Sequence, residues 1–122
     1  MLRDGYAAFA RGDVPAVMAA FDESIVWNMP ASLPFGGTYE GHAGVGGFFA
    51  QLPTHWADLS AEPEEFIDGG DTVVVIVRLR GTAAGGTLDS QAVHLWRMRD
   101  GKAVSHTEYS DTAAARAALG LA

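Results

Sequence analysis

The chain has 122 residues, 48% of them hydrophobic and 19% charged, with no cysteine and a formal charge of −7. That length buries a core without staples, and the absence of cysteine excludes disulfides, thiolate nucleophiles and cysteine-held zinc or iron–sulfur groups. With only eight basic residues the chain lacks the positive stripe a nucleic-acid surface needs, and no apolar run nears the ~18 residues that span a bilayer. The opening Met1-Leu2-Arg3-Asp4 lacks a basic segment followed by an apolar one, so the expectation is a cytoplasmic protein with neither nucleic acid nor membrane as a partner.

In chain order, Leu2, Tyr6 and Phe9 share one helix face, and Gly12-Asp13 stops that helix. The segment is short for an opening helix: either the chain begins abruptly there or residues precede it. Asp13 caps a second helix with Pro15 in its first turn, and Val14, Val17, Met18 and Phe21 form its buried stripe. Ser24 to Met29 predicts a strand ending at Pro30, residues 31–37 a Pro/Gly loop, and Thr38-Tyr39-Glu40 a brief extended piece. Gly41-His42-Ala43 opens a third helix whose stripe is Val45, Phe48, Phe49 and Leu52. Gly44, Gly46 and Gly47 lower its propensity, so packing must hold it, and Pro53 is expected to end it.

The period then changes to two. Leu59 to Ile67 predicts a strand, Asp68-Gly69-Gly70-Asp71 a hairpin turn, and Thr72 to Thr82 a β-branched strand with Val73, Val75, Val77 and Leu79 on one face. After the turn 83–86, Leu88 to Arg99 predicts a long strand, and Asp100-Gly101 a tight turn into Lys102–Tyr109. Asp111-Thr112 caps an alanine-rich helix ending at Gly120. No repeat, linker or low-complexity tract interrupts residues 1–122, so one α+β domain is expected, with helices packed on one face of an antiparallel sheet.

Alternation decides which polar groups meet. Leu88, Ser90, Ala92, His94, Trp96 and Met98 share the inward face of the long strand. On the last strand Val104, His106 and Glu108 share a face, and the tight turn makes the two strands neighbours. An imidazole beside a carboxylate under the helices is what general acid–base work needs; the plainer alternative is a satisfied core histidine at 94 with His106 and Glu108 at a wet rim. His94, His106 and Glu108 also supply nitrogen and oxygen ligands, but no HExxH spacing exists, so neither metal nor other cofactor is expected. Trp27, Phe35, Tyr39, Phe48, Trp56 and Trp96 either ring one cavity for a small hydrophobic or aromatic ligand or form plain core, with Trp27, Trp96 and Tyr39 the favoured walls. His42 is expected on the solvent side, as a candidate for the mouth. Arg78, Arg80, Arg97 and Arg99 read as a solvated face balancing carboxylates.

The order Tyr6-Ala7-Ala8-Phe9-Ala10-Arg11-Gly12-Asp13, then Trp27-Asn28-Met29-Pro30, then Gly37-Thr38-Tyr39-Glu40-Gly41-His42 resembles the SnoaL-like, ketosteroid-isomerase-like branch of the nuclear transport factor 2 superfamily. Val93-His94-Leu95-Trp96-Arg97-Met98-Arg99-Asp100-Gly101-Lys102 and Glu108-Tyr109-Ser110-Asp111-Thr112 agree with it. The resemblance implies a cone-shaped fold, a strongly curved sheet wrapped around three N-terminal helices with a short C-terminal helix, an apolar cavity, and a homodimer through the sheet's outer face. It places the neutral acid of ketosteroid isomerase, a protonated carboxyl in an oxyanion hole, at His94. The isomerase base falls at Met29, which accepts no proton, and the oxyanion tyrosine falls near Gly5, one step from Tyr6. The implied pocket holds Trp27, Met29, Phe35, Tyr39, Phe48, Trp56, Trp96 and Asp111. His94, Glu108 and His106 are the catalytic candidates, with Asp111 the other claimant to the acidic role. The expected activity is cofactor-free isomerase, cyclase or lyase chemistry by proton transfer on an apolar carbonyl compound, in which Glu108 or His106 takes the proton and His94 donates to the enolate. The alternatives are a binding module for a hydrophobic metabolite and an interaction protein.

Overall fold

The computed structural model describes residues 2–121; Met1 and Ala122, the two ends of the expected domain, lie outside them. Helix α1 (Leu2–Ala10) buries Leu2, Tyr6 and Ala8, and Gly12, at φ 73°, turns the chain out of it. In α2 (Val14–Met18) the Asp13 carboxylate accepts from the Ala16 N–H and Pro15 fills the first turn, as the residue types require. This helix is shorter than its apolar stripe suggests. Phe21 is the first residue of strand β1 (Phe21–Met29), buried at 3% exposure from the sheet side.

Strand β2 (Gly37–Glu40) pairs antiparallel with β1 and leads into α3 (Gly41–His55). Pro53 does not end α3. It sits in the last turn, where the Thr54 hydroxyl donates to the Gln51 carbonyl at 2.6 Å and the Trp56 N–H to Leu52 O at 2.9 Å, holding the turn that Pro53 cannot donate to. Strands β3 (Asp58–Asp68), β4 (Thr72–Ala83), β5 (Gly86–Arg99) and β6 (Lys102–Ser110) follow as a meander, and α4 (Thr112–Ala118) closes the chain with Asp111 accepting from the Ala114 N–H. Asp100 (φ 52°) and Gly101 (φ 77°) form the left-handed pair that a two-residue hairpin demands.

The six strands lie in the order β2-β1-β6-β5-β4-β3. Every pair is antiparallel except β1 with β6, which run parallel with Trp27 beside His106. The helices cover the inner face, and the core there joins Val17, Phe21, Ile25, Phe48, Val75 and Val77. A bulge opposite Arg97–Met98 shifts the register of β6, so Ala103 rather than Val104 points inward at 0% exposure; the alternation that groups Val104 with His106 fails at that one residue. On the outer face Arg78 meets Glu64 and Asp89 at 3.6 and 3.4 Å, Arg80 meets Glu62 and Asp89 at 3.6 Å, and Arg97 donates to Thr72 Oγ1. Arg99 lies 3.7 Å from Asp22. Among the described residues no helix is long and apolar enough to cross a membrane.

Candidate functional site

Pairing sets the inner face in rows. Trp27 on β1, His106 on β6 and Trp96 on β5 stand side by side, and in the next row Glu108 pairs with His94, which pairs with Val75. Both His94 and Glu108 therefore emerge under α1, whose Tyr6 points at them because it shares the helix face of Leu2. Four hydrogen bonds join five side chains into one connected chain there. The Trp96 Nε1–H donates to Tyr6 Oη at 3.1 Å, Tyr6 Oη lies 2.6 Å from His94 Nδ1, His94 Nε2 lies 3.0 Å from Glu108 Oε1, and the Ser110 hydroxyl donates to Glu108 Oε2 at 3.2 Å.

The proton positions follow from the partners. An ionised Glu108 only accepts, so Nε2 of a neutral His94 carries the hydrogen and donates to Oε1. Nδ1 is then bare and accepts from the Tyr6 hydroxyl, whose oxygen accepts from the donor-only indole of Trp96. Burial pushes the Tyr6 phenol well above its ordinary range, the Trp96 hydrogen bond works against that rise, and the Glu108 charge adds to it. Tyr6 is therefore a neutral donor at physiological pH.

His106 behaves differently. It is wholly buried, stacks on Trp27 with centroids 3.7 Å apart, and lies 4.7 Å from the His94 ring. Burial pulls its proton affinity well below the ordinary histidine value, and His94 acts in the same direction. Neither of its ring nitrogens has a hydrogen-bond partner among the described residues.

These groups line a cavity of about 100 Å³ between sheet and helices. Trp27, Met29, Phe35, Phe48, Trp56 and Trp96 are on its wall, and so is Asp111, which also caps α4. Tyr39 is not. It stands behind the wall, donating to Phe35 O at 2.9 Å, accepting from Gln51 Nε2, and packing edge-on against Phe48. His42 lies away from any mouth, with Nε2 2.9 Å from the Phe21 carbonyl. Glu108 and Ser110 border both this cavity and a shallow outer groove with Asn28, Pro30 and Tyr109, so the carboxylate lies where the interior meets solvent. Among the described residues no group of three His, Cys, Asp or Glu is placed to hold a metal ion. Tyr6 is the site residue that sequence reasoning left out of the catalytic set. Its place on the apolar helix face was legible; its partner 88 residues away was not.

A curved, unclosed six-stranded sheet with helices at the N-terminus and a short C-terminal helix is the NTF2-like fold. The chain belongs to the SnoaL-like domain family, whose profile matches residues 2–106. It is similar to an NTF2-like protein of unknown function from Burkholderia pseudomallei, at 36% identity over 97% of this chain and 93% of that one, with a TM-score of 0.92. TerC, crystallised with polyporic acid, is 33% identical over 98% of this chain and 95% of its own, with a TM-score of 0.91. A putative polyketide cyclase from Streptomyces antibioticus, IdmH, shares the fold at 23% identity, 98% and 96% coverage and a TM-score of 0.80. No curated protein matches the chain.

Proposed function

We propose that this protein catalyses proton transfer within an apolar, ring-bearing carbonyl compound without a cofactor, as an isomerase, cyclase or lyase. The observation that carries the reading is the buried Tyr6–His94–Glu108 chain ending on an aromatic cavity. A carboxylate has about four acceptor positions, and His94 and Ser110 occupy two of those on Glu108. Glu108 takes a proton from the carbon beside the carbonyl; the C–H electron pair moves into the new C=C bond, and the carbonyl oxygen gains the negative charge. Returning that proton at another carbon completes an isomerisation; alternatively the carbanion attacks a second carbonyl carbon, its C=O π pair moves onto oxygen, and that oxygen takes the proton from Glu108 as the ring closes. With both nitrogens of His94 engaged inside the protein, His94 positions Glu108 rather than donating to the enolate. The uncommitted N–H of neutral His106 takes the donor role instead. The aromatic walls exclude water and strengthen both contacts.

The occupancy of both His94 nitrogens also favours a second reading, a binding pocket without chemistry, and the co-crystallisation of TerC with polyporic acid supports a small organic ligand under either. Exchange of the acidic C–H hydrogens of 2-tetralone with D₂O, followed by NMR, separates the two. Proton transfer requires exchange faster with the protein than in buffer, reduced about a hundredfold in Glu108→Gln. Saturable binding of 2-tetralone with no exchange above buffer establishes the binding pocket instead.

A further inference from the structure

The cavity and the shallow outer groove have three residues in common, Met29, Glu108 and Ser110. Met29 is the last residue of β1 and Ser110 the last of its neighbour β6, so this border stands where both strands run out and the two faces of the sheet meet. Neither Glu108 nor Ser110 is sealed off: the Glu108 side chain keeps 9% of its surface exposed, and Ser110 is half-buried. On the groove side the wall is Asn28, Pro30, Thr107, Tyr109 and Thr112. Three of those carry polar side chains, and Tyr109 is 58% exposed, so water reaches this side of the border.

A thioether has no exchangeable hydrogen, so of the three only Glu108 and Ser110 pass a proton between the two spaces. They are already joined. The Ser110 hydroxyl donates to Glu108 Oε2 at 3.2 Å, while Oε1 is held by His94 Nε2. A hydroxyl has one hydrogen to give, lone pairs to accept with, and a rotor that turns to suit its partners. With a proton on Oε2 the same contact works in reverse: Oε2–H donates to Ser110 Oγ, and the serine hydrogen points into the groove. No other branch of the network offers an exit. The path through His94 to Tyr6 ends on the donor-only indole of Trp96. Asp111, the other carboxylate on the cavity wall, does not border the groove and accepts from the Ala114 N–H.

We infer that Ser110 is the proton exit of the site, a relay residue that carries the hydrogen taken by Glu108 out to solvent through the groove. The Oε2–H bond breaks as a new Oγ–H bond forms, the hydrogen first held by Oγ passes to a water in the groove, and Glu108 is left as the carboxylate. The reverse sequence brings a solvent hydrogen back to Glu108. This rests on proton transfer by Glu108 and adds to it a path and a residue: the hydrogen given back to the substrate comes from solvent and is not the one removed. Ser110 touches no reacting atom and acts through Glu108.

The test is isomerisation of cyclohex-3-enone to cyclohex-2-enone by the whole chain in D₂O, followed by NMR. Glu108 removes a hydrogen from C2 and returns one at C4, so the ratio of deuterium to protium newly placed at C4 separates solvent hydrogen from the hydrogen removed. The wild type is expected to place mostly deuterium there. In Ser110→Ala that ratio is expected to fall about tenfold or more, because a positioned proton-transfer group is worth about 10²–10⁴-fold and direct exchange with water covers the remainder. Total isomerisation in Ser110→Ala is expected to stay within about fivefold of the wild type, the worth of one neutral hydrogen bond. Ser110→Thr keeps a hydroxyl at the same place and is expected to restore the ratio, which a merely structural role for Ser110 would not move. A ratio unchanged in Ser110→Ala, a ratio that Ser110→Thr does not restore, or a wild type that returns mostly protium overturns the relay while proton transfer by Glu108 stands. Conversion no faster with the wild type than in buffer overturns the relay and the proton transfer together.

Discussion

Lowering the pH from 7 to 5 is expected to destabilise the protein through His106, and His106→Phe is expected to remove that contribution. The imidazole is fully buried with no partner for either nitrogen among the described residues, and burial pulls its proton affinity well below the ordinary value. In the unfolded chain it titrates near ~6.5. The unfolded state therefore binds the extra proton first, and stability rises with pH across this window. It is fully present above the unfolded value and is lost as the pH falls below it. While the folded imidazole stays neutral, the loss between pH 7 and pH 5 comes to about 2 kcal/mol, at a limiting slope of about 1.4 kcal/mol per pH unit. Phenylalanine retains a ring against Trp27 and binds no proton. Because it also removes two unpartnered buried nitrogens, the variant is expected to be more stable than the wild type at pH 7 by about 1 kcal/mol or more. Urea unfolding at half-unit pH steps, read by tryptophan fluorescence, measures the difference between the two proteins and cancels the other histidines. Parallel stability curves for wild type and His106→Phe between pH 7 and 5 would refute the reasoning.

Tyr6→Phe strips a partner from both Trp96 Nε1 and His94 Nδ1, and should lower stability by about 2 kcal/mol or more, against about 1 kcal/mol for Tyr39→Phe, whose hydroxyl is half-buried and replaceable by water; equal midpoint shifts in urea would contradict the buried chain. Gly81→Ala brings a methyl to 2.9 Å from both Asp58 O and Trp56 Cε3, so a loss of about 1–3 kcal/mol with a changed near-ultraviolet signal from Trp56 is expected, and an unchanged spectrum would show the ring is not seated there.

Local rules carried most of the fold. The caps at Asp13 and Asp111, the Asp100-Gly101 hairpin and the inward set on β5 all follow from side-chain chemistry and a two-residue period, and the structure shows each of them. What failed was non-local or one residue wide. The bulge in β6 inverts parity at Val104 without any marker in an otherwise regular strand. Phe21 satisfies a helical stripe and a strand start equally, and the parallel neighbour β6, more than 75 residues away in sequence, decided for the strand. Pro53 reads as a stop, yet a side-chain and a backbone hydrogen bond on either side of it keep one more turn of α3. At the site, the facing of His94 and Glu108 could be deduced from adjacent strands, whereas Tyr39 and Tyr6 exchanged importance because only the packing of α1 on the sheet determines which hydroxyl reaches His94.

The polar groups of the interior divide by what the fold does with them. Tyr6, His94, Glu108 and Ser110 are mutually satisfied, and a network of that kind rigidifies its members in one geometry. His106, Trp27, Trp56 and Ser90 carry buried polar atoms with no hydrogen-bond partner among the described residues, and each such group weakens the folded state by roughly 1–3 kcal/mol. Apolar residues of similar volume would avoid that loss. In the proposed reaction the satisfied network holds Glu108 in the one geometry from which it takes the proton.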